Sequence, residues 1–134
     1  MVKTPKVAGT YADEFNIYAC PPEDFRVKVD RAREAAEAAS RNPDDILFSA
    51  AGPAVAGHTE ADYTRLRDDM ARLAGVDPER IDRGYQKRKY PHGFGSQPSE
   101  MIAALEEAGC QRYYLQMFAG GPDDHDMILD SYRG

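Results

Sequence analysis

The sequence predicts an α/β protein built on parallel strands. Three short runs rich in aromatic, β-branched and other apolar residues, at 15–20, 46–51 and 112–118, have the length and composition of strands. Amphipathic stretches with helical spacing separate them. Strands joined through helices pack as parallel neighbours, because a parallel pair needs a crossover connection.

The elements follow in order. Lys3 to Ala12 forms a short helix in spite of Pro5 and Gly9. The first strand ends at Pro21-Pro22. Glu23 and Asp24 then open a helix, where acids suit the positive end of the macrodipole. Its Phe25, Val29, Ala32, Ala36 and Ala39 share one face, and Asn42-Pro43-Asp44 closes it. The second strand, Ile46 to Ala51, leaves through an irregular exit marked by Gly52, Pro53 and Gly57. Thr59 and Asp62 make a capping box, with Asp in place of the usual Glu or Gln. The helix they start carries Tyr63, Leu66, Met70 and Leu73 on one stripe and stops at Gly75. Asp77-Pro78-Glu79 starts another. Arg83 to Gly95 is basic, aromatic and interrupted by glycine, and is expected to be a loop. A helix from Pro98 buries Met101, Ile102, Leu105 and Ala108 and stops at Gly109. The third strand breaks at Gly120-Gly121-Pro122, and Asp123 to Tyr132 forms a last short helix.

Composition narrows the function classes. The 134 residues make one domain, and 42% apolar content supports a modest core. Seventeen Lys and Arg against 23 Asp and Glu leave a formal charge of 17 − 23 = −6, a poor balance for binding nucleic acid or anionic membrane. No apolar run approaches the ~20 residues of a membrane span, and the N-terminus has no signal-peptide core. Cys20 and Cys110 form no CxxC pair and fit buried thiols in a reducing cytoplasm better than a disulfide framework or a zinc site. The expected location is therefore cytoplasmic. No metal site is expected. The four adjacent residues Asp123-Asp124-His125-Asp126 cannot all converge on one ion and fit helix capping. Ser49 and His58 lie in no nucleophile motif, and no catalytic residue is assigned.

Two stretches carry more than pattern. Lys3-Thr4-Pro5-Lys6-Val7-Ala8-Gly9-Thr10-Tyr11-Ala12-Asp13-Glu14-Phe15-Asn16 resembles the segment of luciferase-like oxidoreductases in which a basic residue and Thr open a helix. That helix runs through a Tyr-Ala-Asp turn to an aromatic residue and Asn on a barrel strand. Gly95-Ser96-Gln97-Pro98-Ser99-Glu100, followed by Glu107-Ala108-Gly109 and Arg112-Tyr113-Tyr114-Leu115-Gln116, resembles the family's C-terminal pattern. Pro22-Glu23-Asp24-Phe25 and Arg41-Asn42-Pro43-Asp44 match its connections.

The resemblance implies a (β/α)8 TIM barrel. Such barrels take ~250 residues and at least ~200. The chain is thus expected to be a partial barrel, roughly the last three βα units, and a fragment or truncated form of a longer enzyme. It further implies hydride transfer or monooxygenation with FMN or coenzyme F420 on a small-molecule substrate, with this portion not catalytic alone. By resemblance Lys3, Thr4 and Asn16 are the cofactor-binding candidates. A cation and a hydroxyl at a helix N-terminus suit a phosphate; the plain alternative is a solvated terminus. Asn16 either meets the cofactor or serves as a structural amide. The Arg83 to Gly93 segment, with interleaved Arg, Lys and Tyr, is a further candidate for an anionic cofactor tail or single-stranded nucleic acid, set against a solvated surface loop. The competing function is a non-catalytic partial-barrel scaffold that forms a homo-oligomer through open sheet edges, or pairs with the missing barrel half.

Overall fold

The structure, a computed structural model, describes residues 3–134. Helix α1 (Lys3–Tyr11) leads to strand β1 (Glu14–Tyr18) and helix α2 (Pro22–Ala38). A 3-10 turn at Pro43–Asp45 follows, where the Asn42 side chain accepts from the Asp44 N–H. Then come β2 (Leu47–Pro53), β3 (Val55–Gly57), α3 (Glu60–Ala74) and α4 (Pro78–Arg88). Strand β4 (His92–Phe94), α5 (Gln97–Glu107), β5 (Arg112–Gln116) and α6 (His125–Arg133) complete the chain.

The parallel expectation holds. β1, β2 and β5 form one sheet in the order β1-β2-β5, all parallel, and β3 pairs with β4, also parallel. The Thr59–Asp62 capping box closes in both directions, Asp62 N–H to Thr59 Oγ1 at 3.2 Å and Thr59 N–H to Asp62 Oδ2 at 3.1 Å.

Two expectations need correction. The irregular exit after the second strand is strand: β2 runs through Gly52 to Pro53 and resumes after Ala54 as β3, so the described residues hold five strands rather than three. The expected loop over Arg83 to Gly95 is helical as far as Arg88. Ile81 and Tyr85, one turn apart, give this helix an inner face, and Lys87 and Arg88 sit at its negative end, where cations are favoured. Gly84 weakened the pattern without stopping the helix, which closes at Lys89 in the left-handed region (φ 55°).

Two cores hold the layers together. Phe15, Ile17, Phe48 and Ala50 project from the sheet onto Phe25, Val29 and Ala32 of α2 and Leu105 of α5. The second core packs Val55 and Ala56 against Tyr63, Leu66, Tyr85, Ile128 and Tyr132. Phe25 and Leu66 are each essentially fully buried, and burial of a side chain of that size is worth about 1.5–3 kcal/mol. Helices α1 and α2 approach closely because residue 9 is glycine: a Cβ there would lie 2.1 Å from the Ala32 carbonyl oxygen. Arg41 locks the turn between α1 and β1, donating to the carbonyls of Gly9 at 2.9 Å and Ala12 at 3.0 Å.

Candidate functional site

Alternation along the strands sorts the sheet into two faces. Phe15 and Ile17 of β1 and Phe48 and Ala50 of β2 face the helices. Glu14, Asn16 and Tyr18, with Ser49, Arg112 and Tyr114, lie on the opposite face, and there they form a polar network. The Asn16 side-chain amide donates to Ser49 Oγ at 2.9 Å, and the Ser49 hydroxyl donates to Glu14 Oε1 at 2.6 Å. The Tyr114 hydroxyl donates to the same oxygen at 2.9 Å, and Arg112 Nη1 reaches the Tyr114 oxygen at 3.1 Å. Ser49 is fully buried beneath these groups. The hydroxyls of Ser49 and then Tyr114 hold the Glu14 carboxyl below its ordinary value.

Among the described residues β1 is an edge strand of this sheet. Leu47 N–H donates to the Asp13 carbonyl (2.9 Å) and Ala19 N–H to the Ala51 carbonyl (2.8 Å). Odd-numbered residues of β1 therefore bond to β2. Glu14, Asn16 and Tyr18 turn their backbone groups to the open side, as parallel pairing requires.

Because α1 runs back along β1, its N-terminus lies beside the C-terminal end of that strand. There a groove of about 330 Å³ is lined by Thr4 and Pro5 of α1, Lys28 of α2, and Phe15 to Tyr18 of β1. The structure thus brings two of the three candidates, Thr4 and Asn16, into one groove. Lys3 is exposed in the first turn of α1 and does not line it. Lys28 and Tyr18 escaped the sequence reasoning. Their signal was present: Tyr18 shares a strand face with Asn16, and Lys28 stands two turns into a helix that starts at the same end. Lys28 Nζ also lies 3.6 Å from Cys20 Sγ, and burial pushes the Cys20 thiol up, partly offset by the Lys28 charge.

The Arg83 to Gly93 candidate fares differently. Tyr85 and Tyr90 are buried, so neither offers a stacking face, and His92 Nδ1 is tied to the Tyr90 carbonyl at 2.6 Å. The Gly120-Gly121 turn is likewise engaged. Gly120 N–H donates to Asp69 at 3.0 Å and Gly121 N–H to Asp124 at 2.9 Å, so two of the chain's own carboxylates hold these donors.

The groove presents hydrogen-bond donors and an acceptor. No acid stands in the first turn of α1, and Thr4 and Lys28 add a hydroxyl and a cation, a donor set for an anionic tail. The amide nitrogen of Asn16 is spent on Ser49, which leaves its Oδ1 as an acceptor for a ring N–H. Among the described residues no helix is long and apolar enough to cross a membrane.

Comparison with solved structures finds this fold in larger proteins. An F420-dependent secondary alcohol dehydrogenase, solved with an F420–acetone adduct, superposes with a TM-score of 0.69 at 16% identity, covering 99% of this chain and 47% of its own. A riboflavin lyase solved with modified FMN and riboflavin gives 0.64 at 14% identity, covering 96% and 40%. The coenzyme F420-dependent tetrahydromethanopterin reductase of Methanopyrus kandleri gives 0.58 at 21% identity, covering 92% and 44%. The chain therefore spans less than half the length of these proteins. Comparison with curated protein sequences gives no match. The luciferase-like monooxygenase family matches residues 2–126, nearly the whole chain. The chain belongs to the luciferase-like monooxygenase family.

Proposed function

We propose that this chain forms the C-terminal portion, roughly the last three βα units, of a luciferase-like barrel that uses FMN or coenzyme F420 to oxidise or reduce a small molecule. The observation that carries this reading is the parallel β1-β2-β5 sheet with one face given to helices and the other to a connected polar network. Barrel strands have that division when their inner face lines a site. The share of its relatives' length that the chain spans agrees with it.

In this reading Thr4 and Lys28 hold the anionic tail beside the N-terminus of α1, and Asn16 Oδ1 accepts from the ring. Bound cofactor supplies the hydride chemistry, while the protein orients it and excludes water. The chain walls the pocket without completing it, since a barrel site gathers groups from several strand ends. Its location is the reducing cytoplasm, where Cys20 and Cys110 remain thiols.

Titration with FMN and with coenzyme F420, followed by fluorescence, tests the proposal. A longer polypeptide that supplies the preceding barrel units is expected to bind one of them, and Thr4→Ala or Lys28→Ala to weaken it. Failure of both cofactors to bind both the chain and the longer polypeptide overturns it.

The free backbone groups of Glu14, Asn16 and Tyr18 favour a second reading, a scaffold that self-associates through its sheet edges. Sedimentation separates the two: a monodisperse monomer contradicts the scaffold.

A further inference from the structure

A line of aromatic rings leaves the candidate groove and ends at a surface carboxylate. Tyr18, which lines the groove and is half exposed, meets Tyr90 edge-on with ring centroids 5.7 Å apart. Tyr90 meets Tyr85 at 5.5 Å. Tyr85 packs on the His92 ring at 5.6 Å, and His92 on Tyr63 at 6.2 Å. Tyr90, Tyr85 and Tyr63 are buried, so the line runs inside the second core. It stops where Tyr63 donates its phenolic hydrogen to Asp82 Oδ1 at 2.6 Å, and Arg67 Nη1 holds the other carboxylate oxygen at 2.9 Å. Asp82 is partly exposed.

Packing alone does not ask for this chemistry. Apolar side chains would fill the same space without a phenol to satisfy. Tyrosine is one of the few side chains that yields an electron to a strong one-electron oxidant, and the oxidising equivalent settles where the phenol's proton has an acceptor. Among the described residues Tyr63 is the tyrosine of this line with a carboxylate acceptor at hydrogen-bond distance.

We propose that Tyr18, Tyr90, Tyr85 and Tyr63 form a relay that draws a one-electron oxidising equivalent out of the groove and parks it at Tyr63. The inference rests on the redox reading of the groove given above. The oxidant it serves is an oxygen-derived radical formed there. That oxidant gains one electron. Tyr63 loses one electron, and its O–H bond breaks as the proton passes to Asp82, leaving a neutral phenoxyl and a protonated carboxyl. An external thiol or ascorbate returns the electron and proton. His92 bridges Tyr85 and Tyr63 by contact and is not itself oxidised.

The test supplies its own oxidant, so it is independent of cofactor binding. In the full chain with Cys110→Ser, a photo-oxidising ruthenium polypyridyl complex is attached to Cys20, two residues beyond Tyr18, and circular dichroism confirms the fold. Flash oxidation with an electron-accepting quencher, followed by rapid freezing, is expected to give the electron paramagnetic resonance signal of a hydrogen-bonded neutral tyrosyl radical. Tyr63→Phe should abolish that signal and Asp82→Asn should diminish it. Tyr85→Phe should stop the radical short of Tyr63, and Tyr11→Phe should leave it unchanged. The hydrogen-bonded tyrosyl signal surviving Tyr63→Phe or Tyr85→Phe, or no tyrosyl signal at all, overturns the relay. If the relay operates but neither cofactor binds, the groove's redox reading fails and the relay stands as a property of the fold.

Discussion

The Ser49 hydroxyl donates to the Glu14 carboxylate across 2.6 Å, tying the central strand of the sheet to its edge strand on the face away from the helices. The same oxygen of Ser49 accepts from Asn16. Ser49→Ala removes both bonds from a fully buried position. The expected loss is about 1–2 kcal/mol, read as a lower midpoint in urea unfolding with an unchanged slope.

Glu14 also sets a pH dependence. Its carboxyl titrates below the ordinary value of 4.5 because Ser49 and Tyr114 donate to the charged form. The unfolded chain therefore binds this proton at higher pH than the folded one. The contribution is fully present above that ordinary value and is lost as pH falls through the lower folded value. Asp62, Asp69 and Asp124 are lowered in the same sense by their own donors. Glu14→Gln should narrow the difference in stability between about pH 7 and about pH 3 relative to the parent chain.

Gly52 and Tyr113 constrain each other. A Cβ at residue 52 would lie 2.4 Å from the Tyr113 hydroxyl and 3.0 Å from the Ala19 Cβ. That hydroxyl is buried and has no hydrogen-bond partner among the described residues. Gly52→Ala should cost about 1–3 kcal/mol by overpacking. Tyr113→Phe should be neutral or stabilising, since it removes an unsatisfied group. In the double variant the penalty should shrink, a coupling that a thermodynamic cycle measures.

The Gly120-Gly121 turn offers a local test. The Gly120 N–H lowers the Asp69 carboxyl, with Arg72 adding to it. Asp69→Ala should raise the exchange rate of the Gly120 amide and leave that of Gly121, which is held by Asp124. Hydrogen exchange followed by NMR reads both amides directly.

Much of the architecture was legible in the sequence because it rests on local signals. Pro21-Pro22, the Thr59–Asp62 box and Gly75 bound their helices chemically, and the apolar stripes gave each helix its face. The α4 helix was hidden by Gly84 and by cations that read as a solvated loop, whereas its stability comes from Tyr85 buried in a core assembled from distant segments. The site was legible only in part. Asn16 and Thr4 could be singled out by resemblance, but the Glu14, Ser49 and Tyr114 network depends on which strands become neighbours, and β2–β5 pairing joins residues more than sixty positions apart. No spacing along the chain encodes that. The tyrosine line is likewise a product of packing, drawn from four separate elements and connections.

The central claim is that this sheet is an open parallel segment of a barrel, with β1 ready to receive another strand. Hydrogen exchange along β1 in the isolated chain tests it most directly. The account predicts alternation: the amides of Phe15 and Ile17 protected by β2, and those of Glu14, Asn16 and Tyr18 exchanging freely. Uniform protection of all five amides, or protection in the opposite phase, would contradict it.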